Sequence, residues 1–530
     1  MSLVHVTDLT VEFGDLRAVD GLSFRLEEGA ALALVGESGS GKSTVASALL
    51  GLHRGTGARV GGSVEVAGAD VQQASDDDLR RLRGAKAAMV FQDPLSSLDP
   101  YYAIGDQITE VYRVHTRVSR RAARARAVEV LDRVGIPDAV RRSRARPHEF
   151  SGGMRQRALI AMALACEPDL LIADEPTTAL DVTVQAQILD LLHTLRQETG
   201  MGLLLVTHDV GVAAESVDDV LVMRHGRAVE QGPVGAVLGA PAEAYTRELL
   251  AAVPRVDAPR TPSQASGEVV LEAKSLRREF GRGKKAFAAV DDVSLTVHRG
   301  ETLGVVGESG SGKTTLGRML VGLLEPTAGE VRHDGRARVG VNPAVQMVFQ
   351  DPVSSLNPRR GVGESIADPL RARGERDEKR IRGRVTELLE RVGLEGAHYD
   401  RYPHEFSGGQ RQRVGIARAL AADPRVIVCD EPVSALDVTT QAQAVALLGE
   451  LQRELGLALV FVAHDLAVVR QVSDRVAVMR RGRIVETGPA DEVYDNPQDP
   501  YTKQLLAAVP ALDPRIAARR RAERREVAVT

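Results

Sequence analysis

The chain has 530 residues, too many for one hydrophobic core, which predicts roughly three or four compact units. Hydrophobic residues make up 43% and charged residues 26%, a composition typical of soluble globular proteins. The net charge of −4 excludes a surface that is a nucleic-acid footprint throughout, and no apolar stretch approaches the about 18–20 residues needed to span a bilayer.

The N-terminus and the cysteines indicate the compartment. No charged segment followed by an apolar one begins the chain, so we expect no secretory signal and a cytosolic location. Cys166 and Cys429 each lie in an apolar run and are expected to be buried, reduced thiols. Two cysteines are too few for an iron–sulfur cluster or an all-cysteine zinc site.

In chain order, each half begins with alternating, β-rich segments, at 3–13 and at 269–280. A short apolar strand follows, at 31–35 and at 302–306, and leads into a glycine-rich loop and a helical stretch. The order strand, glycine loop, helix in both halves predicts an α/β fold.

Further apolar runs of four or five residues occur at 170–173, 203–206, 426–429 and 458–462. Runs of this kind are typical of strands buried on both faces of a parallel sheet. Between Gln92 and Ser151 the pattern turns helical and rich in arginine, which predicts a helical insertion within each α/β core.

The second half repeats the first. Ser151 and Ser407 lie 256 residues apart, whereas Lys42 and Lys313 lie 271 apart. Gln92 and Gln350 lie 258 residues apart, so the first half holds 13 extra residues between its glycine loop and Gln92. A near-constant offset over so much of the chain indicates duplication rather than a short-period solenoid.

The repeat offsets and the local composition predict two domains, a linker and a tail. The linker is rich in Pro, Ser and Gly and keeps the halves at high effective concentration for each other. The arginine-rich tail either is solvated or contacts a membrane surface or a partner. The predicted boundaries are 1–254 for the first domain, with a helical insertion at about 93–157 and a C-terminal extension at about 233–254; 255–267 for the linker; 268–510 for the second domain, with an insertion at about 351–413 and an extension at about 487–510; and 511–530 for the basic tail.

Two loops, 36–43 and 307–314, fit the G-x-x-x-x-G-K-[ST] pattern. Their glycines let backbone N–H groups approach a triphosphate, their lysine reaches the β- and γ-phosphates, and the following hydroxyl coordinates Mg²⁺. Two matches, each after an apolar strand, make coincidence negligible. The loop residues expected to bind the nucleotide are Gly36, Ser38, Gly39, Ser40, Gly41, Lys42, Ser43 and Thr44 in the first half, and Gly307, Ser309, Gly310, Ser311, Gly312, Lys313, Thr314 and Thr315 in the second.

An Asp-Glu pair ends an apolar strand in each half: Asp174 with Glu175, and Asp430 with Glu431. At the carboxyl end of a sheet that also carries a phosphate loop, the aspartate is placed to bind Mg²⁺ through water. The glutamate is placed to polarise the attacking water. A merely solvated strand end is the alternative, which the neighbouring loops make much weaker.

One glutamine and one histidine in each half complete the predicted catalytic set. Gln92 and Gln350 follow short strands and can contact both Mg²⁺ and the water, while His208 and His464 follow apolar strands. A lone histidine there is more often structural, but beside these loops each is expected to donate a hydrogen bond to the γ-phosphate. The predicted metal ligands are Ser43, Gln92, Asp174, Thr314, Gln350 and Asp430.

Two Phe-Ser-Gly-Gly segments, 150–153 and 406–409, resemble the signature motif of ABC-type ATPases. Ser-Gly-Gly at a helix N-terminus is an anion site. The resemblance implies that the signature of one half completes the nucleotide site of the other, and that an aspartate in each Ala-Leu-Asp loop contacts nucleotide. The residues so implied are Ser151, Gly152 and Gly153 for the ATP held by Lys313; Ser407, Gly408, Gly409 and Gln410 for the ATP held by Lys42; and Asp181 and Asp437.

Three further repeated segments narrow the resemblance to the ATP-binding subunits of dipeptide, oligopeptide and nickel importers. Those subunits usually form two separate chains, which here look fused. The segments are Pro-His-Glu-Phe at 147–150 and 403–406, Phe-Gln-Asp-Pro at 91–94 and 349–352, and Tyr-Thr-x-x-Leu-Leu at 245–250 and 501–506.

The resemblance implies ATP and Mg²⁺ as cofactors and two transmembrane permease subunits as partners, docking near 93–119 and 351–374. It also implies an extracytoplasmic solute-binding protein, no nucleic acid, and a peripheral position at the cytoplasmic face of the membrane. Peptide is the favoured substrate class, ahead of nickel chelates, glutathione and short antibiotics.

Some positions depart from the family pattern. Met154 replaces a glutamine and loses one capping amide, and Phe13 and Phe280 stand where a tyrosine commonly stacks on adenine. A phenyl ring still stacks. The missing 13 residues leave the shape of the second half's β-subdomain open. Because Glu175 and Glu431 are both present, we expect two hydrolytic sites.

A soluble tandem ABC ATPase acting on ribosomes or DNA is the main alternative. The short, proline-bearing linker, the absence of zinc-ligand cysteines and the Tyr-Thr-x-x-Leu-Leu segments favour the importer. A nucleotide-binding structural protein without turnover is a third reading, which the two glutamates disfavour.

Overall fold

The computed structural model describes residues 2–178, 180–256, 266–281, 283, 286–351, 355–434, 436–513, 515–517 and 519–521. Residues 257–265 of the predicted linker and 522–530 of the predicted tail lie outside this set, as do Ala179, Ala435 and Pro352 of the quoted motifs.

The chain forms two compact units. The first comprises Met1–Leu180, Val184–Ala252 and Pro510–Thr530, and the second comprises Asp181–Thr183 and Val253–Val509. No helix formed by the described residues combines the length and the apolar character needed to cross a lipid bilayer.

The first half alternates strands and helices around one central sheet. Its strands are β1 (Ser2–Phe13), β2 (Leu16–Glu27), β3 (Ala31–Val35), β4 (Arg59–Val66), β5 (Ala69–Asp70), β6 (Ala87–Val90), β7 (Leu170–Asp174), β8 (Gly202–Thr207), β9 (Asp219–Arg224) and β10 (Arg227–Pro233). Its helices are α1 (Lys42–Leu49), α2 (Asp76–Leu82), α3 (Pro94–Ser97), α4 (Ile104–His115), α5 (Arg120–Arg133), α6 (Ala139–Arg142), α7 (Gly152–Leu164), α8 (Val182–Thr199), α9 (Val210–Ser216), α10 (Val234–Gly239) and α11 (Ala244–Ala252).

The central sheet has the strand order β10-β9-β3-β8-β7-β6, in which β6, β7, β8, β3 and β9 are parallel and β10 is antiparallel. Every residue of β3 and β7 is buried, as expected for strands covered on both faces. A second, antiparallel sheet has the order β2-β1-β4-β5. Its apolar side packs into the same core as α1 and the central strands.

The second half repeats this order of elements. Its strands are β11 (Val269–Phe280), β12 (Phe287–His298), β13 (Thr302–Val306), β14 (Ala328–His333), β15 (Arg336–Arg338), β16 (Val345–Val348), β17 (Val426–Asp430), β18 (Ala458–Val462), β19 (Arg475–Arg480) and β20 (Arg483–Pro489). Its helices are α12 (Lys313–Leu320), α13 (Val362–Ala372), α14 (Glu378–Arg391), α15 (Gly408–Ala421), α16 (Val438–Leu455), α17 (Leu466–Val472), α18 (Ala490–Asp495) and α19 (Pro500–Ala507).

The β-subdomain of the second half forms despite the 13 missing residues. Its sheet has the order β12-β11-β14-β15, which matches the first half, and its central sheet has the order β16-β17-β18-β13-β19-β20. The first half's extra segment contains α2, and Arg83 at its end donates to the carbonyls of Leu50 and Gly51 at 2.7 and 2.8 Å. The extra residues therefore add a helix that caps the end of α1, and the sheet forms without them.

The prediction of two buried cysteines is half right. Both thiols are free; Cys429 is buried, but Cys166 is partly exposed. Cys429 lies in a central strand that is covered on both faces, whereas Cys166 follows the end of α7 in a connection. An apolar run therefore predicts burial more reliably in a core strand than after the end of a helix.

The interpretation of the tail as solvated holds for part of it, since Asp513, Arg515, Ile516 and Arg519 are exposed. Ala517 is buried, and Arg521 lies 3.3 Å from the ring nitrogens of His193 and 3.7 Å from Asp190. Both partners lie on α8 of the first unit. The guanidinium of Arg521 thus meets a carboxylate and an imidazole on the helix, so the tail contacts α8 at this position.

Candidate functional site

In each half, the predicted catalytic residues follow parallel strands of the central sheet. In the first half the strands concerned are β3, β6, β7 and β8, and they end at the nucleotide loop, before Gln92, at Asp174 and before His208. Because parallel strands bring their carboxyl ends to one edge, these residues meet in one crevice. The second half does the same with β13, β16, β17 and β18.

The nucleotide loops wrap around a buried lysine. Lys42 is 5% exposed and its ammonium donates to the carbonyls of Gly36 and Glu37, both at 2.8 Å. Lys313 makes the same bonds, to Gly307 and Glu308 in the second half, at 2.7 and 2.8 Å. Each ammonium thus lies inside its loop, where a triphosphate would offer it a stronger, oppositely charged partner.

The helices after the loops fit an anion. Helix α1 begins after Gly41 and α12 after Gly312, and neither start has a side-chain cap. No capping side chain occupies the backbone N–H groups of the first turn, and the helix dipole favours phosphate there. Burial lowers the pKa of Lys313, against the attraction of nearby carboxylates led by Glu431.

Gly41 is a position where no other residue fits. Its φ is +99°, and an added Cβ would lie 2.4 Å from the carbonyl oxygen of Ala18. Gly39, in the same loop, has a φ of +79° but nothing within 4 Å of an added Cβ.

We expect Gly41→Ala to destabilise the first unit more than Gly39→Ala. Left-handed backbone costs both variants about 1–2 kcal/mol, but only Gly41→Ala adds a backbone clash, worth about 1–3 kcal/mol more. Each kcal/mol lowers an unfolding midpoint by about 2–4 °C at this size of domain. Calorimetry of the nucleotide-free chain measures both; equal shifts would contradict the packing described here.

Oxygen ligands suited to Mg²⁺ lie beside each loop. Ser43 Oγ donates to Asp174 Oδ1 and Thr314 Oγ1 to Asp430 Oδ1, both at 3.0 Å. Burial raises the pKa of Asp174 to about 6, and it raises that of Asp430 as well. A hydroxyl beside a desolvated carboxylate fits a hard cation, which would stabilise the ionised form.

Across the described residues there is no group of three or more His, Cys, Asp or Glu side chains that could hold a metal ion. Mg²⁺ in nucleotide sites usually binds one or two carboxylates together with substrate phosphates and water.

Each predicted catalytic glutamate is held by a glutamine and a histidine. In the first half Gln92 Nε2 donates to Glu175 Oε2 at 2.8 Å, and His208 Nδ1 lies 3.1 Å from Glu175 Oε1. In the second half the corresponding distances to Glu431 are 2.7 Å from the glutamine and 3.4 Å from the histidine. The structure therefore brings together the three side chains predicted for each site.

The electrostatics of each cluster favour an ion pair. Burial alone would raise the pKa of Glu175, but the hydrogen bond and charge of His208 outweigh it and hold that pKa below its usual value. Burial alone would lower the pKa of His208, and Glu175 raises it. The pKa values of Glu431 and His464 shift in the same directions for the same reasons. An ionised glutamate is the form that can attract a proton from water.

Both glutamates have backbone angles that side chains rarely adopt. The φ values are 48° at Glu175 and 45° at Glu431. Left-handed backbone at a non-glycine residue is costly and persists where the surroundings enforce it, often at functional sites. The turns after β7 and β17 thus hold each carboxylate beside the glutamine and histidine that contact it.

The two clusters differ at one hydroxyl. Thr178 Oγ1 donates to Glu175 Oε2 at 2.9 Å, whereas Ser434, at the corresponding position, donates to the main-chain carbonyl of Glu431 at 3.1 Å. The sequence had indicated no role for Thr178. The signal in the sequence was a hydroxyl residue three positions after the glutamate in both halves.

The signature segments form helix N-termini as predicted from their Ser-Gly-Gly pattern. Ser151 caps α7 and Ser407 caps α15 through their hydroxyls. Gln410 Oε1 also accepts the N–H of Ser407 at 2.9 Å, a bond that Met154 cannot make. Gly409 lies against Thr440, where an added Cβ would be 2.3 Å from a methyl group.

Four further residues were predicted to contact the nucleotide. Phe13 is 38% exposed, with His53 edge-on to its ring at 5.4 Å. The Phe280 ring has the Arg278 guanidinium 5.0 Å from its centroid. Asp181 belongs to the second compact unit, and Asp437 caps α16.

Comparison with known families matches both halves. An ABC transporter model matches residues 19–178 and 290–434, which together exceed half of the chain. A model of the oligopeptide/dipeptide transporter C-terminal region matches 229–285 and 485–529. Each half therefore carries both parts, as the sequence had predicted.

The chain is also similar to whole proteins. The glutathione import ATP-binding protein GsiA of Escherichia coli K12 is 47% identical, over 94% of this chain and 87% of that protein. The protein of the same name from Salmonella paratyphi A is 47% identical, over 97% and 90%. Among solved structures, the dimeric bacterial ABC transporter cassette MJ0796 matches with a TM-score of 0.40 and 28% identity, covering 43% of this chain and 98% of that chain.

The predicted family, the α/β fold and the cofactors ATP and Mg²⁺ are thereby confirmed, and the matches lend no support to the ribosome or DNA alternative. The chain belongs to the ABC transporter family, as an ATP-hydrolysing subunit of a peptide-type importer with both ABC domains in one polypeptide.

Proposed function

We propose that this chain hydrolyses ATP at two sites to drive uptake of a short peptide of the glutathione class. The observation that carries the proposal is the pair of intact clusters, in which Glu175 and Glu431 are each held by a glutamine and a histidine. The relatives named for glutathione import support the substrate class.

Within each site we assign phosphate binding to the nucleotide loop. Lys42 and Lys313 turn from their loop carbonyls to the β- and γ-phosphates, and the backbone N–H groups at the start of α1 and α12 hold the phosphate oxygens. The glycines and hydroxyls of the two loops, from Gly36 to Thr44 and from Gly307 to Thr315, shape this cradle. The buried lysines and uncapped helix starts support the assignment.

We assign metal binding to the hydroxyls of Ser43 and Thr314, together with one aspartate and one glutamine in each half. Mg²⁺ bound there neutralises charge that develops on the phosphates. Asp174 and Asp430 face these hydroxyls at 3.0 Å, which supports the assignment.

We assign the hydrolytic step to the glutamates. Glu175 and Glu431 accept a proton from the attacking water and orient it in line with the γ-phosphate. His208 and His464 donate a hydrogen bond to the γ-phosphate and hold the glutamate ionised. Gln92 and Gln350 keep each carboxylate in place and sense the bound ligand.

The remaining residues are assigned to nucleotide recognition. Phe13 and Phe280 stack on the adenine, and Asp181 and Asp437 contact the nucleotide, as the family resemblance implies. The signature residues contact the triphosphate through helix N-termini, a role that their caps and glycines support.

An importer ATPase acts with membrane permeases and a substrate-binding protein. We propose two permease subunits that dock near 93–119 and 351–374, and a peripheral position on the cytoplasmic face of the membrane. We further propose domain boundaries at 1–254 and 268–510. The linker lies between the two domains, and the tail follows the second.

Uptake into proteoliposomes tests the proposal. The chain is reconstituted with its copurifying permeases and solute-binding protein, and ATP is supplied on the side of the chain. We expect ATP-dependent accumulation of radiolabelled glutathione above that of a dipeptide. Recovery of no multi-span partner would overturn the importer assignment, and equal or greater dipeptide uptake would overturn the substrate class.

A further inference from the structure

Tyr501 joins the C-terminal extension to the second nucleotide loop. The backbone N–H of Glu308 donates to the Tyr501 hydroxyl at 3.0 Å, across 193 residues of sequence. Tyr501 is 2% exposed and lies in α19, inside the matched oligopeptide/dipeptide C-terminal region. Nothing in the loop's own pattern requires this contact, since Glu308 stands at a variable position of the motif.

The tyrosine is itself held rigidly. Asp499 caps the start of α19 by accepting the N–H of Tyr501 at 2.8 Å. On the ring, the guanidinium carbon of Arg480 lies 4.6 Å from the centroid. Burial raises the pKa of Tyr501 to about 12, so the phenol stays neutral and can accept the amide hydrogen bond. A fixed ring and a neutral hydroxyl make a rigid support for the loop.

The peptide that Tyr501 holds is the one that Lys313 releases. The Lys313 ammonium donates to the carbonyls of Gly307 and Glu308. When the ammonium turns to a triphosphate, both carbonyls lose that partner. The Tyr501 hydroxyl then still accepts the N–H of Glu308 and holds the Gly307–Glu308 peptide.

We propose that Tyr501 is a positioning residue for ATP in the second site, which it serves by holding the Glu308 peptide while Lys313 engages the phosphates. The inference rests on the proposed role of the nucleotide loop. It gives the oligopeptide-type extension a direct part in nucleotide affinity. In the first half, Tyr245 occupies the corresponding place, with Arg224 4.5 Å from its ring centroid.

The test separates the two sites by disabling one at a time in the full chain. Tyr501→Phe removes only the hydroxyl. In a Lys42→Ala background, where the second loop is intact, we expect the Kd for a fluorescent ATP analogue to rise about 3- to 10-fold, the value of one hydrogen bond. In a Lys313→Ala background the same change is expected to leave the Kd unaltered.

Two further readouts distinguish positioning from general support of the fold. In the chain assembled with its permeases, Tyr501→Phe is expected to raise the KM for ATP with kcat changed less than about twofold, because the hydroxyl touches no reacting atom. Hydrogen exchange of the loop peptide that contains Glu308 is expected to speed up. Tyr399→Phe is the control: it also removes a buried hydroxyl, one that donates to Glu364 in the helical insertion at 3.0 Å.

Each outcome decides the matter. An unchanged Kd in the Lys42→Ala background overturns the proposal, as does an equal loss in both backgrounds with a lower unfolding temperature. If the unsubstituted chain fails to bind the analogue, the nucleotide-site proposal itself fails. If the unsubstituted chain binds the analogue but Tyr501→Phe changes binding no more than Tyr399→Phe does, the nucleotide site stands and the proposed role of Tyr501 is wrong.

Discussion

Glu175→Gln and Glu431→Gln, made separately, are each expected to remove at least roughly half of the ATP turnover, and the double variant to remove nearly all of it. General-base catalysis contributes about 10²–10⁴-fold, so a neutral amide should silence its own site. A single change that removes almost all turnover would show that the two sites work only together. ATP binding should persist, because neither glutamate lies in a nucleotide loop.

The duplication supplies matched controls for this experiment. Glu198 and Glu454 occupy corresponding positions, on α8 and α16, and form exposed ion pairs with Arg133 and Arg391 at 3.2 and 2.8 Å. Glu198→Gln and Glu454→Gln should leave turnover unchanged, because exposed pairs contribute little. If Glu175→Gln or Glu431→Gln behaves like its control, the chain has only one hydrolytic site.

Lys42→Ala and Lys313→Ala are expected to remove ATP binding at their own sites. Truncating one partner of a buried charge pair costs about 2–5 kcal/mol, which corresponds to at least about a 30-fold loss of affinity. The fold should tolerate the change, because the hydrogen bonds of each ammonium go to carbonyls within its own loop, which water can replace.

Equilibrium binding of radiolabelled ATP measures the loss site by site, because each variant retains the other loop. Lys86→Ala and Lys274→Ala, which change an exposed lysine in each half, serve as controls. If either loop variant keeps its full ATP affinity, the assignment of that loop to the triphosphate is wrong.

Much of the site was predictable because it depends on local pattern and on one topological rule. Short apolar runs identified the parallel strands, and residues that follow such strands meet at one edge of the sheet. Glu175, His208 and Gln92 could therefore be grouped although they are far apart in sequence. Duplication gave each assignment a second instance in the other half.

Features set by long-range packing were not predictable. The left-handed backbone of Glu175 and Glu431 reflects the turn that follows a buried strand, which residue type does not reveal. The bond between Glu308 and Tyr501 depends on how the extension returns to the loop. The contact of Arg521 with α8 likewise depends on tertiary packing, and charge alone had favoured a solvated tail.

The central claim is that one polypeptide holds two complete nucleotide sites. The number of ATP molecules retained by the Glu175→Gln/Glu431→Gln chain with Mg²⁺ tests it most directly, because this variant should bind ATP without consuming it. The account predicts two ATP per 530-residue chain. Saturation at one ATP per chain would contradict it.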